Sequence, residues 1–228
     1  MDTTLELRRR RVFAGISMIT APLALGVAYL VAPQLRSDTA EQLSAFAAAP
    51  GRLEAGLVIG LAGAALTVFA ALGLAHLLRE DQPWFGQLGA VLAVTGIVLY
   101  SATQGALVAA SEAAQLDVAA ATAVWDASTS NPVLVVAVAG LVAAGIGFLV
   151  LAAGLVMART APLWSSVGLA LGTVVLIVGI LATSTVWAVI GAAIVFVGLA
   201  PLGYEIIAEP DEAWEHPVHF QGMRAMPG

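Results

Sequence analysis

Residues 53–78 read LEAGLVIGLAGAALTVFAALGLAHLL, and residues 84–113 read WFGQLGAVLAVTGIVLYSATQGALVAASEA. Between them stands only the polar link Arg79-Glu80-Asp81-Gln82-Pro83. Each run exceeds the roughly 20 apolar residues that a helix needs to cross the hydrocarbon core of a bilayer. The link permits nothing but a tight hairpin, so Leu53 to Ala114 reads as two antiparallel membrane helices. Working outward, similar runs cover Val12–Val31, Pro132–Ala158, Leu163–Leu181 and Val186–Ile206. The expected architecture is therefore all-α: a polytopic transmembrane helical bundle of six helices over residues 12–206. A basic N-terminus, residues 1–11, precedes it, and an acidic tail, residues 207–228, follows it.

Composition agrees. The 228 residues are 60% hydrophobic and only 11% charged, against about 25% charged in soluble domains, and mean hydropathy is +0.95. A membrane β-barrel would alternate apolar and polar residues in segments of about 10, and nothing here alternates. The absence of cysteine rules out disulfides, thiol catalysis and cysteine-held iron–sulfur clusters. All nine basic residues are arginine, which with the Ala/Gly/Val richness fits a GC-rich genome or a salt-adapted organism. A net charge of −6 argues against nucleic acid as a partner. The expected partners are the lipid bilayer and either a second copy of the chain or another membrane protein.

Arg8, Arg9, Arg10 and Arg11 precede the first apolar run. A secretory signal would have an apolar region of about 7–15 residues; this run is longer, so it reads as a first membrane helix held by arginines at the cytoplasmic face. Pro22 falls inside it and should kink it. Six crossings place both termini in the cytoplasm of a cell-membrane protein. Seven arginines then lie inside, with Arg36 and Arg52 outside. Trp84, Trp164 and Tyr204 fall at inner helix ends, and Tyr29 and Trp187 at outer ends, as an aromatic belt would. The turn Ala182-Thr183-Ser184-Thr185 bears no charge; without it there would be five crossings.

Two loops on the outer side are long. Ser37 to Ala49 reads as a short helix, with Asp38 and Glu41 at capping-box spacing and Leu43 and Phe46 on one face. Ser111 to Ser128 reads either as an extension of the third membrane helix or as an interfacial helix, with Leu116, Val124 and Trp125 toward lipid or the bundle. Residues 60–89 resemble residues 140–168 at an offset of about 80, which suggests a parallel repeat of hairpins two–three and four–five. Small residues four apart, at Gly56/Gly60, Gly140/Ala144 and Gly168/Gly172, allow close helix contact, within one bundle or between copies.

The central halves of all six helices lack Asp, Glu, Lys, Arg and His. Each would cost at least about 2.5–3.5 kcal/mol at mid-bilayer, so proton relays and voltage sensing are not expected. Uncharged polar groups remain. Tyr100, Gln104 and Glu112 share a helical face, flanked by Thr103 and Ser111, with Glu54 at the matching end of helix two. These four, Glu54, Tyr100, Gln104 and Glu112, are the candidate ligand-binding residues, lining an outward polar cleft for a small solute or a lipid headgroup. The competing reading gives Gln104 an interhelical hydrogen bond of about 0.6 kcal/mol and leaves both glutamates among headgroups. His76, with His216 and His219 of the tail, supplies too little to predict a haem or metal site. No nucleotide, zinc or nucleophile motif appears, and no cofactor is expected.

Several features in combination carry a family resemblance: the arginine-rich start, the Gly/Pro-containing first helix, the loop ending Ala49-Pro50-Gly51-Arg52, and the second helix ending Leu77-Leu78-Arg79. Over Arg11 to Ile206 the chain resembles six-helix bacterial and archaeal integral membrane proteins grouped as a domain of unknown function. That resemblance implies a layout and no chemistry. Three functional readings follow from the residues. The first is a non-enzymatic structural, regulatory or partner-binding membrane protein. The second is a small transporter or channel for an uncharged or lipid-like solute, and the third a haem- or quinone-linked redox subunit.

Overall fold

The computed structural model describes residues 3–129 and 132–208, with side chains over 8–127 and 135–208. Among the described residues there are nine α-helices and no strand. They are α1 (Thr3–Val31), α2 (Thr39–Ala48), α3 (Pro50–Leu77), α4 (Pro83–Ala102), α5 (Gln104–Leu116), α6 (Val118–Thr129), α7 (Pro132–Ala158), α8 (Leu163–Leu181) and α9 (Thr185–Ala208). Six helical stretches are long and apolar enough to cross a membrane: those of α1, α3, α4 with α5, α7, α8 and α9. The all-α bundle expected from the sequence is the one observed.

The long helices form a closed ring in chain order, α1, α3, α4, α7, α8 and α9, with α9 packing back on α1. Contact around the ring is uneven. The pairs α1–α3, α4–α7, α8–α9 and α1–α9 pack along much of their length, whereas α3–α4 and α7–α8 touch far less. The hairpin from which the fold is most easily read is thus one of the two loosest seams. The proposed repeat pairs these same two hairpins.

Glycine explains the tight seams. Gly89 and Gly96 of α4 face Gly147 and Gly140 of α7, and Gly172 and Gly179 of α8 face Gly191 and Ala188 of α9. In both seams the glycines recur every seven residues, the period that keeps one stripe facing a partner at a shallow crossing angle. The α1–α3 seam uses alanine against glycine, Ala32 on Gly56 and Ala28 on Gly60. The small-residue pairs singled out in the sequence are therefore spent within one bundle.

The end where the chain turns tightly, here the turn end, is filled by a core including Met18, Leu74, Leu78, Leu151, Leu155, Leu199 and Leu202. The ring is fastened there by Arg11. Its side chain is 5% exposed, and Nη1 donates to the carbonyls of Ile206 (3.1 Å) and Ile207 (3.3 Å) in the last turn of α9. A cation on the unpaired carbonyls of a helix C-terminus suits both hydrogen bonding and the helix dipole. The sequence expectation had all four arginines at a membrane face; Arg8, Arg9 and Arg10 are exposed, but Arg11 is a buried clasp. At the other end of the bundle, beside Leu35, the turn joining α8 and α9 exists without a charge. Thr183 takes φ 52°, and Ser184 N–H donates to Gly179 O at 2.8 Å, the closure that ends many helices.

The opposite end carries a cap built from α2, α5 and α6. Asp38 caps α2 by accepting from Glu41 N–H at 2.9 Å, as the spacing foretold. Leu43, Phe46, Leu53, Ala114 and Ala121 form a second small core under it. Of the segment from Ser111 to Ser128, the first part ends α5 and the rest forms α6, with Asp117 Oδ1 accepting from Ala119 and Ala120 N–H. One expectation needs correction: the third membrane helix is not continuous to Ala110. It is interrupted at Thr103, whose N–H and Oγ1 both donate to Tyr100 O, and α5 begins at Gln104. Leu116 and Val124 of the cap are 91% and 70% exposed, and Trp125 packs on the cap core.

Candidate ligand cavity

Inside the ring, in its cap half, lies a cavity of about 270 Å³. Every long helix contributes to its wall. The floor is Ala70, Phe148, Leu169 and Leu199, which also belong to the turn-end core, and the roof includes Phe46 and Leu53 of the cap core. The cavity exists because the tight seams pull the helices together in pairs while α3–α4 and α7–α8 diverge, leaving a central space that the small residues Ala21, Ala28, Gly60, Ala64 and Ala144 do not fill.

The lining is almost wholly aliphatic, and it contains no Asp, Glu, Lys, Arg or His. Its polar members other than Ser101 behave in two ways. Thr67 and Thr173 turn their hydroxyls back to their own helices, donating to Gly63 O and Leu169 O at 2.7 Å each, so they present methyl groups inward. Tyr29 and Tyr100, from α1 and α4, both line one end of the cavity. Gln104, one turn beyond Tyr100 across the break at Thr103, lines the same end of the cavity, and its amide has no partner among the described residues. One end of an apolar chamber therefore offers phenol and amide groups that can both donate and accept hydrogen bonds.

Of the four residues singled out by sequence, the structure brings Tyr100 and Gln104 to the cavity. Glu54 and Glu112 are exposed and line no part of it. Ser111 is buried and donates to Val108 O. Tyr29 was missed, having been placed in the aromatic belt with Trp187; Trp84, Trp164, Trp187 and Tyr204 are indeed 54–70% exposed, but Tyr29 points inward. Its signal was present in the sequence: Pro22, Leu25, Tyr29 and Ala32, spaced three and four apart, make one face of α1, and all four line the cavity.

His76 sits at the turn end, far along α3 from the cavity, with its ring nitrogens 2.9 and 3.2 Å from Arg79 Nη1. The tail residues His216 and His219 lie outside the described residues. No family model matches the chain, and neither the curated proteins nor the solved structures contain a match to it.

Proposed function

We propose that this chain is a multi-pass integral protein of the cell membrane that binds a small, electrically neutral, lipid-like molecule within its helical ring, without chemically transforming it. The observation that carries this reading is the aliphatic cavity with Tyr29, Tyr100 and Gln104 at one end. Apolar pockets with a few convergent polar groups are the usual form of a small-molecule site. A charged group brought into this lining would lose its hydration with no counter-charge to receive it, a cost of several kcal/mol. A neutral hydroxyl or carbonyl meets donors and acceptors.

Binding without passage is favoured over transport because the floor of the cavity is the packed turn-end core; a pathway would require Leu74, Leu151, Leu155 and Leu199 to separate. The position of Gln104 beside Tyr29 and Tyr100 on the cavity wall favours a ligand over the purely structural reading. Both termini belong on the cytoplasmic side by the arginine distribution, which puts the cap and the cavity toward the outer leaflet. The likeness to six-helix membrane proteins of unknown function is compatible with this layout.

The test uses purified protein in lipid nanodiscs, with bound amphiphile measured by native mass spectrometry. Hexadecanol should be retained in preference to palmitate and to hexadecylamine, and Ala64→Phe, which fills the cavity from α3, should abolish the retention. Equal binding of all three amphiphiles, or undiminished binding to Ala64→Phe, would sink the proposal.

A further inference from the structure

The cavity is too small for a membrane lipid. Its volume of about 270 Å³ lies below the about 300–1,000 Å³ of pockets that enclose a whole drug-sized ligand. A long-chain molecule seated with its polar end on Tyr29, Tyr100 and Gln104 must therefore pass out of the ring somewhere, and the walls say where.

Four of the six seams are sealed by packing along their length, two of them by glycine against backbone. The α7–α8 seam is loose but plugged at cavity level, where Ile177 of α8 lies against Gly145 of α7 so closely that a Cβ there would have no room. The floor is core, and the roof is Phe46 under the cap, 3% exposed. There remains α3–α4. These helices meet near their turn, where Gly86 abuts Ala75 O and Leu78, and they touch far less than the tight pairs do. Leu61 of α3, on the cavity's stretch of that helix, is 45% exposed, and alone among the lining residues it is classed as exposed.

We infer that the α3–α4 seam, with Leu61 at its edge, is a lateral portal through which the ligand enters from the bilayer, and that the ligand is a long-chain neutral amphiphile, such as a fatty or isoprenoid alcohol or ketone, whose chain stays in the portal while its polar end is held inside. This rests on the proposed binding of a neutral lipid-like molecule. It adds the chain length and the route. Side chains at a portal govern the rates of entry and exit, whereas those at the polar end govern affinity.

The experiment measures association and dissociation rates of a fluorescent long-chain alcohol in nanodiscs for the full-length protein, Leu61→Trp, Leu61→Ala and Phe46→Ala. Leu61→Trp should slow both rates several-fold, with Kd changing less than either rate, and Leu61→Ala should speed both. Phe46→Ala, which thins the roof, should leave them near the starting values. The portal is overturned if the alcohol binds but its rates ignore both Leu61 substitutions, or if Phe46→Ala alone accelerates exchange. It is also overturned if short- and long-chain alcohols bind equally well, since the chain then makes no contact in the seam. Absence of any binding to the unsubstituted protein would instead overturn the ligand reading beneath it.

Discussion

Gly96→Ala is the substitution that most directly probes how the ring is held. A Cβ at Gly96 would lie 2.8 Å from Ala144 Cα and closer still to Ala144 N and Gly140 O, whereas ordinary contact begins near 3.4 Å. The obstacles are backbone atoms and cannot rotate away, so α4 and α7 must part by at least about 0.6 Å, the difference between 3.4 and 2.8 Å. A gap of about 0.5–1 Å forfeits a quarter to a half of each dispersion contact it opens, and overpacking of this kind costs about 1–3 kcal/mol. In lipid no hydrophobic effect draws helices together, so lost packing is not offset by solvent. The control is Gly105→Ala in α5, where an added Cβ meets nothing within 4 Å and helix propensity should contribute up to about 1 kcal/mol of stability. Unfolding by SDS titration in mixed micelles, followed by tryptophan fluorescence, reads both. A Gly96→Ala protein as stable as the Gly105→Ala control would refute backbone-level packing at this seam.

Further outcomes are expected elsewhere in the ring. Arg11→Leu removes a charge-assisted donor from two carbonyls at the end of α9 and should cost about 1.5–3 kcal/mol in the same titration, with Arg11→Lys recovering part of it. Thr183→Gly relieves a β-branched residue at φ 52°; since the left-handed conformation costs about 1–2 kcal/mol for residues with a Cβ, it should raise the unfolding midpoint. Asp38→Ala removes the cap of α2 and should destabilise by about 0.5–2 kcal/mol, seen as faster amide exchange confined to α2 and its neighbours α5 and α6. Gln104→Leu keeps the cavity's size but removes its unpaired amide, so it should weaken retention of hexadecanol while leaving stability unchanged or improved.

Much of this was legible because membrane helices are long, apolar and punctuated. The bundle, its six spans, the Asp38 cap and the two faces of the loops follow from runs, charges and spacing. What escaped did so for definite reasons. Tyr29 and Trp187 look alike as aromatics near helix ends; only ring closure decides that one faces inward. Arg11 is one of four consecutive arginines, and its partners, the carbonyls of Ile206 and Ile207, are backbone groups that carry no side-chain signature. The four-residue small motifs drew attention to single contacts, while the seven-residue glycine register of α4, α7, α8 and α9 was the stronger indicator of which helices pair. The break at Thr103 depends on local hydrogen bonding that a Ser-Ala-Thr-Gln-Gly stretch permits without requiring. Along the predicted polar stripe, Tyr100 and Gln104 reach the cavity and Glu112 lies outside it.

The central claim, a neutral lipid-like molecule held inside the ring, is tested most directly by where such a molecule touches the chain. Hexadecanol carrying a diazirine near its hydroxyl would be photolysed with the protein in nanodiscs and the adducts mapped by peptide mass spectrometry. Adducts are expected on Tyr29, Leu57, Tyr100 and Gln104, all of which line the cavity, competed by unlabelled hexadecanol and absent from Ala64→Phe. Adducts confined to the outward positions Leu23, Val27, Leu30 and Val58, each 44–68% exposed on the same helices, would show that lipid only surrounds the ring and would contradict the claim.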